Sequence, residues 1–255
     1  MKKVKELGKS LSGYGTTSTH LSVAVVTGAS KGIGKAIASA LCGAGYCVHG
    51  VARGSDELQQ MQEELGNNFV PHTLDVTGDD ILAMIERLGR VDLLVNNAGT
   101  NRPEPFLEAT DEALNLMLDL NVRAAFRIAR SAARMMGAGG SIINITSQMG
   151  HVGSPRRTVY CMTKHALEGL TKAMAVELAP MGIRVNSVAP TFVETPMTAS
   201  MLEDSDFAAF VHRMIPMGKM ATAEQIAAAV VYLASPDAGM VTGHSLVIDG
   251  GWTAQ

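Results

Sequence analysis

The sequence predicts a single α/β domain in which parallel strands are covered by helices, and three observations predict it. Short β-branched runs alternate with helical stretches along the chain, an order that builds a parallel sheet. Hydrophobic residues make up 47% of the composition and aromatics only 4%, which suits a core of aliphatic side chains and alanine. At 255 residues the chain is long enough for one large domain with a substantial core and too short to require two.

Composition also bounds function. A formal net charge of -3 leaves no electrostatic footprint for nucleic acid or an anionic membrane, so neither partner is expected. No apolar run approaches the ~20 residues needed to span a bilayer. Cys42, Cys47 and Cys161 form an odd set without metal-ligand spacing, which points to a reducing, cytoplasmic setting with neither disulfides nor a bound metal. Cys161, beside Tyr160, reads as a small packing residue more readily than as a reactive thiol. Met1 to His20 mixes lysines with Gly, Ser and Thr and lacks the apolar segment of a signal peptide; it reads as a flexible extension ahead of a domain over 21–255.

Leu21 to Thr27 is a β-rich run, followed by Gly28-Ala29-Ser30-Lys31-Gly32-Ile33-Gly34 and a helical stretch from Lys35 to Cys42. Strand, glycine-rich turn and helix in that order can set backbone N–H groups and a helix N-terminus against a pyrophosphate. The position of the glycines favours nucleotide binding over a plain turn. The second strand, Tyr46 to Ala52, runs into Arg53-Gly54-Ser55. An acidic side chain here would suit the ribose hydroxyls of NAD, whereas a 2′-phosphate calls for cations. The acid is absent from the strand end, Arg53 follows it, and Lys31 supplies a second cation from the glycine loop. The pair points to NADP(H), with NAD(H) the alternative if both are ordinary solvated charges.

A helix from Asp56 to Leu65 leads to a third strand, Phe69 to Leu74, closing at Asp75-Val76. Asp75 either meets an adenine amino group or caps the next helix. Val91 to Val95 is a fourth strand running into Asn96-Asn97-Ala98-Gly99, whose carboxamides suit either backbone stabilisation beside a ligand or an ordinary turn. A long helix from Asp111 to about Met136 carries Asn121 within an apolar pattern, where it must satisfy a backbone group or hold a water.

Ser141 to Ser147 reads as a buried strand ending in hydroxyls, and a helix starts near Tyr160 and runs to Ala179. Residues four apart share a helix face, so the Tyr160 phenol and the Lys164 ammonium point the same way, and the strand end brings Ser147 to them. An unperturbed phenol titrates near ~10, and a close ammonium stabilises the phenolate and lowers that value. Hydroxyl, phenol and lysine can together polarise a carbonyl and pass it a proton. Ile183 to Pro190 is a sixth strand. Regularity fails from Thr191 to about Met220, which reads as a substrate loop. Ala223 to Ala234 is a helix, and Ser245 to Gly251 a last strand and turn.

In order and spacing, TGASKGIG at Thr27 to Gly34, Asp75-Val76, NNAG at Asn96 to Gly99, Asn121, Ser147, YCMTK at Tyr160 to Lys164, Asn186 and DGG at Asp249 to Gly251 closely resemble the short-chain dehydrogenase/reductase family. The likeness runs from about Val23 to Gly251 and extends to 3-oxoacyl-carrier-protein reductases and sugar or sugar-acid dehydrogenases within the family. It implies a Rossmann-like doubly wound sheet of about seven strands, a nicotinamide cofactor, interconversion of a secondary alcohol and a ketone, and often a homotetramer. By the same resemblance Tyr160 is the general acid/base, Lys164 lowers its pKa and binds the nicotinamide ribose, Ser147 polarises the carbonyl, and Asn121 holds a proton-relay water. Cofactor contacts are implied at Gly28, Ser30, Lys31, Gly32, Ile33 and Gly34 in the first loop. Further ones are implied at Arg53, Asp75 and Val76, at Asn97, Ala98 and Gly99, and at Pro190, Val193 and Thr195, besides Tyr160 and Lys164. The family's Pro-Gly after the sixth strand is Pro190-Thr191 here, which alters the backbone expected beside the nicotinamide.

For the substrate, Arg102 and Arg156 with Arg157 lie in segments that should border the pocket, and His151 and Gln148 add polar groups. They hint at an anionic or hydroxyl-rich substrate, such as a sugar acid or a 3-oxoacyl group on an acidic carrier, unless the arginines are solvated or pair at a subunit contact. Met197, Met201, Met214, Met217 and Met220 could line an adaptable apolar wall. The competing class is an NADP(H)-binding regulatory or structural protein without turnover. The presence of Ser147, Tyr160 and Lys164 together argues against it.

Overall fold

A computed structural model describes residues 21–195, 198–199 and 202–255. The extension expected over Met1 to His20 falls outside the described residues. Seven strands pair in parallel in the order β3-β2-β1-β4-β5-β6-β7. They are β1 (Ser22–Thr27), β2 (Tyr46–Ala52), β3 (Phe69–Thr73), β4 (Leu93–Asn96), β5 (Ser141–Ile145), β6 (Arg184–Pro190) and β7 (Ser245–Ile248). A parallel sheet must be covered on both faces, and the two-residue period of its strands divides their side chains between two cores. Ala24, Val26, Leu93, Val95, Ile143 and Val188 pack on one face against α1 (Gly32–Gly43), α2 (Ser55–Leu65) and the helix Ala223–Ala234. Val25, Val51, Leu94, Ile142 and Val185 pack on the other face against α3 (Asp80–Leu88), the helix Ala124–Met135 and Ala175. Each fully buried Leu, Ile or Val adds about 1.5–3 kcal/mol, so this alternation fixes the strand register. Strand order reverses at β1, which has β2 on one side and β4 on the other, and a Rossmann-like sheet opens a crevice at the carboxyl ends there.

Several elements differ from the sequence reading. Helix α1 begins at Gly32 instead of Lys35, so the last two glycines of the loop are helical. Helix α3 is the helix expected after Asp75, to which the sequence reading gives no bounds, and it buries Ile81, Met84 and Ile85 at helical spacing. The long helix expected from Asp111 divides into α4 (Asp111–Met117), a π-turn (Leu118–Arg123) and α5 (Ala124–Met135). The extra residue in the wide turn accompanies an inward-facing Asn121, 1% exposed. Helix α6 (Thr158–Leu178) starts two residues ahead of Tyr160. The stretch expected to be irregular holds α7 (Ser205–Met214), capped by Asp204, whose carboxylate accepts from the Asp206 and Phe207 N–H groups. Phe207 and Phe210 of α7 pack on Phe192 and Trp252, which fastens this helix beside the sheet's carboxyl end. Helix α8 (Ala223–Ala234) completes the order and has a full capping box between Thr222 and Gln225. Among the described residues no helix is long and apolar enough to cross a membrane, and no group of three or more His, Cys, Asp or Glu is placed to hold a metal ion.

At the β2–β3 edge, His49 and His72 stack with ring centroids 5.2 Å apart and share a 2.9 Å bond from Nδ1 to Nε2. Burial, and then His72, pushes His49 from its ordinary 6.5 down to about 4; burial, and then Arg87, lowers His72 as well. The unfolded chain therefore takes up protons before the folded one, so the pair's contribution is complete above pH 6.5 and is lost as pH falls towards about 4. Denaturation midpoints are expected to fall across that window, and His49→Gln to flatten the fall; an equally steep acid dependence in the variant would contradict this account.

Candidate active site

The carboxyl ends of β1, β4, β5 and β6 open onto a cleft of about 340 Å³, lined by residues of the glycine loop, the NNAG segment, the end of β5, α6 and the segment after β6. Its size suits a small-molecule site. The glycine loop is held open by its neighbours. Gly28 has φ +66, and a Cβ on Gly34 would lie 2.0 Å from the Gly28 carbonyl oxygen and 2.5 Å from Asn97 Nδ2. Only glycine lets α1 approach this closely. Asn97 Nδ2 donates to the carbonyls of Thr27 (3.0 Å) and Gly28 (3.2 Å), while Thr27 Oγ1 accepts from the N–H groups of Asn97 and Ala98. The second carboxamide of NNAG thus braces the backbone of the glycine loop. The N-terminus of α1 has no side-chain cap and no acidic residue in its first turn, and Lys31, Gly32 and Ile33 line the cleft. Uncapped N–H groups beside a glycine cradle fit a phosphate-bearing ligand.

Other first-loop and edge positions lie elsewhere. Ser30, Arg53, Asp75 and Val76 do not line the cleft. Arg53 is exposed beyond β2, and Val76 is buried in the second core. The Asp75 carboxylate accepts from Thr77 N–H (2.9 Å) and Oγ1 (2.7 Å), an Asx turn ahead of α3, and these bonds hold it below the usual range. It therefore caps a turn, while Asp79 takes the helix N-cap position. The acid missing from the strand end in sequence is supplied in space by Glu57, from the first turn of α2. Glu57 Oε1 pairs with Lys31 Nζ at 2.7 Å, and its other oxygen lies over Gly54, where a Cβ would be 2.2 Å away. Both partners are exposed, so the pair is weak.

Ser147, Tyr160 and Lys164 all face the cleft. Ser147 sits at the end of β5, where its Oγ accepts from Met149 N–H at 3.1 Å and shares a hydrogen bond with the Tyr160 phenol. Lys164 Nζ lies 5.5 Å from the Tyr160 ring centre and donates to the Ile145 carbonyl at 2.9 Å. Burial pushes Tyr160 up to about 12, opposed first by the Ser147 hydrogen bond and then by the Arg157 guanidinium. The sequence reading assigned that role to Lys164. In the folded chain burial prevails, and the opposing cation is Arg157, at the N-cap of α6. Burial likewise brings Lys164 down to about 8, with Glu168 acting against it. Asn121 Oδ1 accepts from Thr100 N–H (2.8 Å), and its Nδ2 donates to Thr100 O (2.9 Å) and Thr163 Oγ1 (3.1 Å). Of its two readings, the side chain takes the one that satisfies a neighbouring backbone.

The substrate side departs most from expectation. Gln148 lines the cleft, but Arg102, His151 and Arg156 do not. Arg102 and Arg156 are exposed, Arg156 in the left-handed region at φ 61, and His151 turns to Ser245 and Glu168. The inward arginine is Arg157, 5% exposed and stacked 5.9 Å from the Phe207 ring centre. Its spacing of three from Tyr160 was the available signal. The methionine wall is not formed as expected. Met197 and Met201 lie outside the described residues, Met214 and Met220 pack on the aromatic cluster, Met217 is exposed, and Met149 lines the cleft instead. Pro190, Val193 and Thr195 do line it, as does Thr191. Among the described residues, Asn101 Oδ1, Gln148 Oε1 and Thr191 Oγ1 are buried without a hydrogen-bond partner, although each residue lines the cleft.

Residues 28–253 match the family described as enoyl-(acyl carrier protein) reductase. The chain is 40% identical to the D-erythrulose reductase of Gallus gallus over 233 residues, covering 90% of this chain and 94% of the relative. It is 40% identical to the L-xylulose reductase of Mus musculus over 235 residues, covering 91% and 96%. The solved structure of ElxO with NADP bound superposes with a TM-score of 0.85 at 31% identity, covering 92% of this chain and 100% of that one.

Proposed function

The chain belongs to the short-chain dehydrogenase/reductase family of oxidoreductases acting on CH–OH and C=O groups, and from that premise we propose that it interconverts a hydroxylated ketone and its secondary alcohol with NADP(H). The observation that carries the reading is the convergence of Ser147, Tyr160 and Lys164 on the cleft that the glycine loop also lines.

A bound nicotinamide dinucleotide supplies or accepts the hydride. The N–H groups at Gly32 to Gly34, at the start of α1, would hold its phosphates, Lys164 would hold its ribose hydroxyls, and Pro190, Val193 and Thr195 line the part of the cleft left for its nicotinamide. Tyr160 gives its proton to the developing alkoxide and takes it back in the reverse direction. Ser147 donates a hydrogen bond to the same oxygen. Proton transfer contributes about 10²–10⁴-fold, and holding the reactants in place more. Asn121 has its amide engaged by Thr100 and Thr163, so its part in a proton relay would fall to its backbone in the π-turn.

The relatives named for erythrulose and xylulose reduction support a substrate bearing hydroxyls, and the polar residues Asn101, Gln148 and Thr191 line the cleft that would take it. Arg102, Arg156 and Arg157 all lie outside the cleft, so no arginine there favours an anionic substrate. A 3-oxoacyl thioester is the second reading, favoured by the apolar lining from Ile145, Met149, Phe192 and Val193. Exposed Leu116, Phe126, Met162 and Val176 on α4, α5 and α6 support assembly into a homotetramer or dimer. The free cysteines fit a reducing cytoplasm, and residues 21–255 act as one dehydrogenase domain with the substrate loop at about 191–220.

Tyr160→Phe is expected to lower turnover by about 10²-fold or more while dinucleotide affinity changes little, as read by fluorescence titration beside steady-state kinetics; wild-type-like turnover would remove the assignment. Lys31→Ala and Arg53→Ala should weaken NADPH by about tenfold and leave NADH nearly unchanged, whereas Glu57→Gln should tighten NADPH by freeing Lys31 for the 2′-phosphate. Equal effects on both dinucleotides would contradict the phosphate reading.

A further inference from the structure

Glu168 lies one helical turn beyond Lys164 and two beyond Tyr160, so the three side chains share a face of α6. Its carboxylate is 5% exposed, and a buried carboxylate is costly unless it is hydrogen-bonded and matched by charge. The surroundings supply hydroxyl donors from three neighbouring strands or the residue just beyond them. Thr146 Oγ1 (2.6 Å) and Ser245 Oγ (3.0 Å) donate to Oε1, and Ser187 Oγ (2.8 Å) donates to Oε2. His151 Nε2 stands 3.4 Å from Oε1 and 2.9 Å from Ser245 Oγ. Thr146 immediately follows β5, Ser187 lies within β6, Ser245 opens β7, and His151 belongs to the turn after β5. Thr146 immediately precedes Ser147. A Cβ on Gly150 would lie 3.0 Å from the Lys164 carbonyl oxygen and 3.1 Å from Glu168 Cγ, so the turn that follows Ser147 rests on α6 between Lys164 and Glu168.

We propose that Glu168 is a positioning residue for the carbonyl centre: its carboxylate fastens the strand end carrying Ser147 to the helix carrying Tyr160 and Lys164, and it is the buried counter-charge of Lys164. The inference rests on the catalytic reading of those three residues. Outside Thr146, none of the groups bonded to Glu168 lines the cleft, so the carboxylate acts through Lys164 and Thr146 and not on substrate. The charged and titratable groups around Lys164 are few. Helix α6 contributes Tyr160, Cys161, His165 and Glu168, Arg157 stands at its N-cap, and the turn after β5 contributes His151. The elements facing Lys164 from β5 and β6 present the neutral Thr146 and Ser187, and the π-turn presents the neutral Asn121. Asp119 and Arg123 of that turn pair with each other at the surface. Burial pulls the Lys164 proton off and Glu168 holds it on.

The test is the pH dependence of kcat for wild type, Glu168→Gln and Glu168→Asp, with Tyr160→Phe in the same assay and 13C NMR of lysine-labelled protein as a readout independent of turnover. Removing the charge is expected to move the alkaline limit of kcat, and the titration of Lys164, down by about one pH unit in Glu168→Gln. Glu168→Asp keeps the charge but stretches the clamp, so its alkaline limit should stay near wild type with kcat several-fold lower. A uniform loss of kcat in Glu168→Gln with both pH readouts unmoved would overturn the proposal. If Glu168→Gln cannot be recovered folded, Glu168→Asp decides, and unchanged kcat and KM there would overturn it equally. Turnover retained by Tyr160→Phe would remove the underlying catalytic reading instead.

Discussion

The hydrogen bond from Lys164 Nζ to the Ile145 carbonyl, 2.9 Å long, joins the middle of the sheet to the first turns of α6, and the candidate chemistry hangs on that junction. Ser147 belongs to the strand side of it and Tyr160 to the helix side, and neither element alone could present both groups to one carbonyl. The two cores explain why the junction is stiff. Ile143 and Ile145 bury on one face, Ile142 on the other, and α6 reaches the second core through Ala175. A shift of one residue in the register of β5 would send each of these to the wrong side.

Desolvation acts on the phenol and the ammonium in opposite senses and drives both towards neutrality, Tyr160 up to about 12 and Lys164 down to about 8. What keeps the site chemically useful is the set of polar and charged groups that oppose burial. Ser147 and Arg157 pull the phenol back, and Glu168 returns charge to the lysine. A phenol held so high keeps its proton at neutral pH. That is the form able to protonate a developing alkoxide.

Much of this was legible in the sequence because it is local. The bounds of β2 and α8 follow directly from the two-residue and 3.6-residue periods, and the spacing of Tyr160 and Lys164 places them on one face without any knowledge of the sheet. Helix α7 was missed although Asp204 and the apolar spacing behind it were readable, because the flanking prolines and methionines masked the pattern. The π-turn leaves no local mark, since it shows only in the bonds between Asn121 and Thr100 across the chain. The substrate side was misjudged for the same reason. Arg156 and Arg157 are adjacent in sequence, and only the left-handed backbone at Arg156 decides that the second turns inward. Glu57 reaches Lys31 because β2 lies beside β1, a pairing no local pattern reveals.

The central claim is that the cleft reduces hydroxylated ketones with NADPH. It is tested most directly by following the decay of NADPH absorbance with erythrulose and xylulose beside 3-oxoacyl thioesters and simple ketones, and repeating each with NADH. The account predicts the highest kcat/KM for a short ketose with NADPH. Preference for a thioester, or turnover with NADH alone, would contradict it.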